Sequence, residues 1–213
     1  MIPTAFNNLR TVLCLGAHAD DIEIGCGGTL LKLIERHPGL VVHWVVFSAS
    51  DMRAAEARHS ADTFLRDAGE SSITIHDFRD SFFPYQAEAI KEAFHALAAK
   101  VCPDLIFTHR PDDAHQDHRV LSEMTWCAFR NHAILEYEIP KYEGDLGRPN
   151  LLAQLSAEQA YRKVAHLMSA FPSQREKPWY TEDTFRALLR LRGLECHAPD
   201  RFAEGFYARK LVL

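Results

Sequence analysis

The sequence predicts an α/β fold: a three-layer, Rossmann-like arrangement with a mostly parallel sheet and helices on both faces. Short, continuous apolar runs alternate with longer segments whose apolar residues recur at helical spacing, which is typical of βαβ units. The apolar runs lack the strict alternation of a half-exposed strand, as expected for buried parallel strands. Two polar clusters directly follow two of these runs. The sequence therefore places an active site at the carboxyl ends of the strands.

The first half of the chain supplies three strands and two helices. A strand at residues 12–15 is bounded by Gly16, and a helix from about 27 to 36 stops at His37-Pro38-Gly39. A β-branched and aromatic strand follows at 40–47, and an alanine-rich helix at 52–68 ends at Gly69. Residues 72–78 form the third predicted strand.

The second half repeats the alternation and then becomes richer in loops. Helices are predicted at 86–100, after Arg119 to about 129, at 156–171 and at 181–194, and strands at 104–108, 133–139 and 202–213. Ser156 and Gln159 form a capping-box pattern. Residues 140–150 and 172–180 read as loops. Without a repeat or a linker, residues 1–213 are predicted to form one domain.

Composition excludes several classes of protein. The 213 residues carry a net charge of −5 and no basic cluster, so a nucleic-acid partner is not expected. No run is long enough for a membrane span, and no signal peptide is apparent, so a cytoplasmic protein is expected. The five cysteines are odd in number and form no CxxC pair, which predicts reduced thiols.

The first polar cluster contains His18, Asp20 and Asp21 and is followed by Gly25, Gly27 and Gly28. Imidazole and carboxylate groups are common zinc ligands, and His18 and Asp21 could supply two of them. Asp20 would stay free to act on a metal-bound water. The alternative is a loop histidine beside a helix N-cap aspartate.

The second polar cluster spans residues 109–119 and has three histidines and three aspartates within ten residues. A solvated loop is the alternative interpretation. The position favours function, because both clusters follow strands whose carboxyl ends should meet at one edge of the sheet.

The two clusters together resemble the PIG-L-like (LmbE-like) N-deacetylases. The family's first motif, AHPDDE followed by GxGGT, stands here as AHADDIEIGCGGT at residues 17–29, and its second motif, HxDH, as residues 115–118. The resemblance implies a zinc-dependent hydrolase that releases acetate from N-acetylglucosamine-type sugars. It covers residues 11 to about 129 convincingly, and the part from about 136 is expected to be substrate-specific.

Residue by residue, the resemblance implies three zinc ligands: His18, Asp21 and His118. It implies Asp20 as the general base and His115 as the general acid or as a cation that stabilises the tetrahedral intermediate. Asp117 would orient or polarise a histidine. Other divalent transition metals remain open for such a site.

Weaker matches suggest that Arg53 and Asp80 bind substrate. For Arg53 the alternative is an exposed ion pair with Glu56, three residues along a helix. The chain departs from the family pattern at Ala19, where proline is usual, and at Ile22, where glutamate is common. Asp112-Asp113 occupies the region where some relatives place a tyrosine near the oxyanion.

The expected substrate is a small N-acetylated sugar, sugar nucleotide or glycoconjugate, and a homo-oligomer is possible from the resemblance. Three aromatic residues are candidates for sugar stacking, with core packing as the alternative for each: Trp179, Tyr180 and Phe206. Other functions stay open: hydrolysis of another small amide, or a catalytically inactive relative that binds a sugar or nucleotide. A dinucleotide site is disfavoured because G-x-G-G departs from the G-x-G-x-x-G fingerprint.

Overall fold

The computed structural model describes residue 6 and residues 8–211. Its strands are β1 Thr11–His18, β2 Val41–Ser48, β3 Glu70–Ile75, β4 Leu105–His109, β5 Ala133–Tyr137, β6 Leu151–Leu155 and β7 Phe202–Tyr207. Its α-helices are α1 Asp21–Arg36, α2 Asp51–Phe64, α3 Ala87–Ala98, α4 Gln116–Ala128, α5 Ala157–Ala170 and α6 Glu182–Glu195.

The strands form a seven-stranded sheet in the order β3-β2-β1-β4-β5-β7-β6. The first five strands of the chain pair in parallel, and β7 pairs antiparallel with both β5 and β6. The prediction of a mostly parallel sheet is confirmed. Because β1 and β4 are neighbours, the segments that follow them emerge side by side at one edge.

Helices cover both faces of the sheet, as predicted. Alternate residues of β1 serve different faces: Val12 and Cys14 belong to the core beneath α1, α2, α5 and α6, whereas Leu13 and Leu15 pack beneath α3 and α4. Every one of these four side chains is fully buried. A strand buried on both sides must be apolar throughout, which explains the continuous run in the sequence.

Two helices start earlier than the sequence predicted. Helix α1 begins at Asp21, not near residue 27, so its glycines lie inside the helix. They permit close packing, because a Cβ at Gly25 would collide with the ring of Tyr137 and one at Gly28 with Leu155. Helix α4 begins at Gln116, so the second half of the HxDH motif lies on its first turn and not in a loop.

The C-terminal part holds one strand that the sequence did not reveal, β6, which pairs with β7 along its whole length. The capping box is confirmed, since Ser156 and Gln159 each accept from the other's backbone N–H. The predicted last strand ends at Tyr207, and its final residues, 212 and 213, lie outside the described residues, as do 1–5 and 7. None of the helices in the described part of the chain combines the length and apolar character that crossing a bilayer requires.

Candidate active site

The two polar clusters meet where β1 and β4 end. His18 is the last residue of β1, and the segment after β4 returns to it at the start of α4. The ring of His18 lies 4.8 Å from that of His115 and 5.1 Å from that of His118, centroid to centroid. Residues about a hundred positions apart in the sequence therefore form one site.

The three predicted metal ligands present a compact triangle of donor atoms. Nδ1 of His18 lies 3.2 Å from Nε2 of His118 and 3.3 Å from Oδ2 of Asp21. The third side, from His118 Nε2 to Asp21 Oδ2, measures 3.6 Å. Ligand atoms held tetrahedrally at zinc distances would be separated by roughly 3.3–3.4 Å. The donor set thus fits one small divalent cation in both chemistry and spacing.

The charges of the site also favour a cation. Burial lowers the pKa of His18, but the carboxylates of Asp21, Asp117 and Asp80 outweigh it and raise that pKa well above its usual value. His118 behaves oppositely: burial and the adjacent His109 lower its pKa to about 3, which keeps the imidazole neutral. A neutral imidazole is the form that binds a metal.

Each histidine of the triangle has a carboxylate on its other nitrogen. Nε2 of His18 lies 3.3 Å from Oδ2 of Asp117, and Nδ1 of His118 lies 3.1 Å from Oδ2 of Asp113. Asp117 is held in turn by the backbone N–H groups of Ser81 and Phe83. Carboxylate partners of this kind fix the tautomer and orientation of metal-binding histidines.

Asp20 lies beside the triangle and outside it. It occupies the N-cap position of α1, yet its side chain makes no capping hydrogen bond, so the N-cap alternative does not describe it. Its Oδ1 instead lies 3.0 Å from the guanidinium of Arg53. Burial raises the pKa of Asp20, and the Arg53 charge opposes that shift. The result is an ionisable carboxylate that is 6% exposed and faces the cavity.

Arg53 makes the ion pair with Glu56 that was the alternative from the sequence, and it also contacts Asp20. One arm of its guanidinium pairs with Glu56 at 3.2 Å, as the helical spacing suggested, while the other reaches Asp20. Glu56 also accepts from the backbone and hydroxyl groups of Ser173, which anchors the loop after α5. Arg53 is therefore fixed among protein carboxylates at the cavity wall.

His115 caps the N-terminus of α4, where its Nδ1 accepts from the backbone N–H of Asp117 at 3.3 Å. It lines the cavity and, together with His18 and His118, forms a second group of three side chains whose ligand atoms are close enough to hold a metal ion. Burial and the neighbouring His18 lower its pKa, which makes its protonated form the stronger acid. Asp80 is exposed, lines the same cavity and places Oδ1 3.3 Å from Nε2 of His18.

Three residues near the centre were not assigned a role from the sequence. Asp113 and His109 belong to the polar cluster, but composition alone could not rank its members. Asp113 contacts His118, and the buried His109 places Nε2 3.1 Å from Oδ2 of Asp21. Lys141, which contacts Asp113, lies in a loop that carries no motif.

A cavity of about 540 Å³ opens above the triangle. Among the three aromatic candidates only Trp179 lines it; Tyr180 and Phe206 are buried in the core, as the alternative interpretation held. At the two departures from the family pattern, Ala19 and Ile22 have buried side chains in the core, and Ala19 also lines the cavity. The volume suits a ligand of sugar size, since small-molecule sites commonly measure roughly 300–1,000 Å³.

Known proteins resemble this chain in sequence and in fold. Residues 13–129 match the model of the PIG-L family, described as GlcNAc-PI de-N-acetylase. The uncharacterized deacetylase YaiS of Escherichia coli K12 is 29% identical over 148 residues, which cover 63% of this chain and 76% of YaiS. The diacetylchitobiose deacetylase of Thermococcus kodakarensis is 30% identical over 132 residues, or 54% of this chain and 47% of that protein.

A structural comparison shows that this fold alone does not determine the reaction. GalB of Pseudomonas putida KT2440, the 4-carboxy-2-hydroxymuconate hydratase, superposes with a TM-score of 0.73 at 15% identity and covers 96% of this chain and 98% of GalB. The same fold thus supports more than one reaction, and activity must be argued from the site. The family itself is settled by the match across both motifs: the chain belongs to the PIG-L family of deacetylases.

Proposed function

We propose that the protein is a zinc-dependent hydrolase that removes the acetyl group from an N-acetylglucosamine-type sugar, sugar nucleotide or glycoconjugate. The observation that carries the proposal is the triangle formed by His18, Asp21 and His118, with donor atoms 3.2–3.6 Å apart beside a sugar-sized cavity. When bound there, zinc would activate water and polarise the acetamide carbonyl.

The protein's own residues supply the proton transfers. Asp20 accepts a proton from the attacking water, a role that suits a carboxylate beside the ligand triangle and outside it. His115 donates a proton to the departing nitrogen, because an amine leaves poorly as an anion. Asp117 positions His18, and Arg53 positions Asp20. Acetate and a free amine are the products.

The substrate end of the proposal has separate support. The related Thermococcus kodakarensis protein is a diacetylchitobiose deacetylase, which acts on an acetylated sugar. Trp179 offers an aromatic face at the cavity wall, and Asp80 offers a carboxylate that can accept hydrogen bonds from sugar hydroxyls. A cytoplasmic location and a homo-oligomeric state remain predictions.

The test combines metal analysis with acetate release from a panel of N-acetylamino sugars, their nucleotides and unrelated N-acyl compounds. We expect about one zinc per chain and acetate release that a chelator abolishes and zinc restores. Asp20→Asn should retain zinc and lose turnover by about 10²–10⁴-fold, the usual contribution of a general base. His115→Ala should also retain zinc, and the exposed His95→Ala serves as its control.

Each alternative predicts a distinct result. Turnover of only non-sugar amides would replace sugar deacetylation with another amidohydrolase activity. Full zinc occupancy without turnover of any compound would favour a binding protein. Near-normal turnover by Asp20→Asn would exclude Asp20 as the base, and loss of zinc from His115→Ala would mean that acid and ligand have been exchanged.

A further inference from the structure

The loop between β5 and β6 reaches the metal centre from outside the part of the chain that matches the family model, which ends at residue 129. Lys141 makes the contact. Its ammonium nitrogen lies 3.1 Å from Oδ1 of Asp113 and 2.6 Å from Oδ1 of Asp145. We call these three residues the Lys141 bridge.

Asp113 is the member of the bridge that touches a ligand. Its side chain is fully buried; Oδ1 has a hydrogen-bond donor, whereas Oδ2 makes no hydrogen bond to any described residue and has only the contact with His118. Oδ1 accepts from the backbone N–H of His115 at 2.9 Å and pairs with Lys141, which leaves Oδ2 facing Nδ1 of His118 at 3.1 Å. The carboxylate is therefore held in an orientation that presents a single oxygen to the imidazole.

Asp145 connects the loop between β5 and β6 to residues 110–114, the segment after β4, through hydrogen bonds. Its Oδ2 accepts from the backbone N–H of Ala114 at 2.7 Å, and the guanidinium of Arg110 donates to its backbone carbonyl oxygen. Lys141 and Arg110 thus both join the loop to residues 110–114. The loop is part of the wall of the centre and not a free flap.

We propose that the Lys141 bridge sets the tautomer and orientation of His118, so that the loop from residue 140 to 147 is required for tight metal binding. Nδ1 of His118 and Oδ2 of Asp113 are buried 3.1 Å apart and have no hydrogen-bond partner elsewhere in the described part of the chain, so the carboxylate favours the tautomer that carries its proton on Nδ1 and leaves the lone pair on Nε2. Lys141 compensates the buried charge of Asp113, since an unpaired buried carboxylate is costly.

The geometry disfavours another role for Lys141. A lysine at a cavity wall often binds an anionic group of the substrate. Here the Lys141 side chain is 9% exposed, and two aspartates lie within hydrogen-bonding distance of its ammonium, together with the Ile139 carbonyl oxygen. Three donors are thus matched by three acceptors, which leaves none for a ligand.

The experiment measures zinc affinity of the purified, metal-free protein by competition with a chromophoric chelator, and the absorption spectrum of its cobalt form. Asp113→Asn should weaken zinc binding about 10–100-fold, the usual effect of losing such a partner. Lys141→Met should weaken it in the same direction and alter the cobalt spectrum. Exposed Asp112→Asn and Lys177→Met, a lysine that lines the same cavity, are matched controls that should bind zinc as the parent does.

The inference rests on the metal site of the proposed function, but the two fail differently. A parent protein that binds no zinc would overturn both. A parent that binds zinc, with Asp113→Asn and Lys141→Met matching it in affinity and cobalt spectrum, would overturn the bridge alone. If Asp113→Asn melts at a lower temperature without metal, the charge-balanced Asp113→Asn/Lys141→Met double variant decides: restored folding with weakened zinc binding supports the bridge, and restored affinity overturns it.

Discussion

Replacing Arg53 with methionine distinguishes two roles that the structure and the family resemblance suggest for it. The resemblance places this arginine against the substrate, whereas the structure places its guanidinium 3.0 Å from Asp20 and 3.2 Å from Glu56. Methionine retains much of the apolar stem and removes the charged guanidinium, whose Cζ lies 5.2 Å from the centre of the Phe171 ring. We expect Asp20 to lose its fixed orientation while the cavity keeps its shape.

The magnitude follows from one charged hydrogen bond. Such a bond contributes roughly 1.5–3 kcal/mol, and each 1.4 kcal/mol of barrier is a factor of ten in rate. Arg53→Met should therefore lower kcat about 10–100-fold. KM should stay near that of the parent, because the guanidinium is engaged with protein carboxylates. The assay is acetate release under saturating zinc, with the best substrate from the panel.

Arg53→Lys should fall between parent and methionine, because an ammonium cannot pair with both carboxylates in the geometry of a guanidinium fork. The control is Arg186→Met, which removes an arginine that pairs with Glu182 at 3.1 Å on the exposed face of α6. It should leave both kinetic constants unchanged. A raised KM with parental kcat for Arg53→Met would refute the positioning role and return Arg53 to substrate binding.

Three further results are expected. Removing the metal should lower Tm by roughly 5–10 °C. A ligand at a hundred times its Kd adds about 2.7 kcal/mol to the free energy of unfolding, and each kcal/mol shifts Tm about 2–4 °C in a chain of this size. A melting temperature that zinc does not change would count against the site. Glu204→Gln should cost about 3–5 kcal/mol in urea unfolding, because it leaves the buried Lys163 ammonium, now 2.6 Å from Glu204, without its counter-charge; a cost below about 1 kcal/mol would contradict the buried pair. Gly25→Ala should cost about 1–3 kcal/mol, because the added methyl meets the Tyr137 ring; unchanged stability would show that the ring can move aside.

The parts of the fold that the sequence predicted are those encoded locally. Buried parallel strands such as β1 and β4 appear as continuous apolar runs, and the capping box at Ser156 marks the start of α5 by two residues alone. The predicted start of α1 was wrong because glycine is usually found at the ends of helices and not inside them. In this chain the glycines are required by residues distant in the sequence, because a side chain at Gly25 would collide with Tyr137 and one at Gly28 with Leu155. Strand β6 was missed because its partner β7 is distant in the sequence, with Leu151 paired to Phe206.

The candidate site divides in the same way. His18 and Asp21 could be named as candidate ligands because they directly follow a strand, and His118 was named because its motif resembles that of the family. The sheet then brings the two motifs together. Asp113 stands in the same cluster, but nothing in the sequence separates it from its neighbour Asp112; only burial and the contact with His118 do so. Lys141 belongs to no sequence motif. Its importance depends on the contact with Asp113, which is distant in the sequence.

The proposed Lys141 bridge would link substrate specificity to metal binding in this protein. Part of the cavity wall comes from Trp179 and Tyr142, in loops beyond the region that matches the family model. If such loops only touched substrate, they could change freely while the motifs kept the metal. The loop that contains Tyr142 also contains Lys141, which pairs with Asp113 behind His118. On the proposed function, a change of substrate through this loop would have to preserve that ion pair, because losing it would loosen the proposed metal ligand His118.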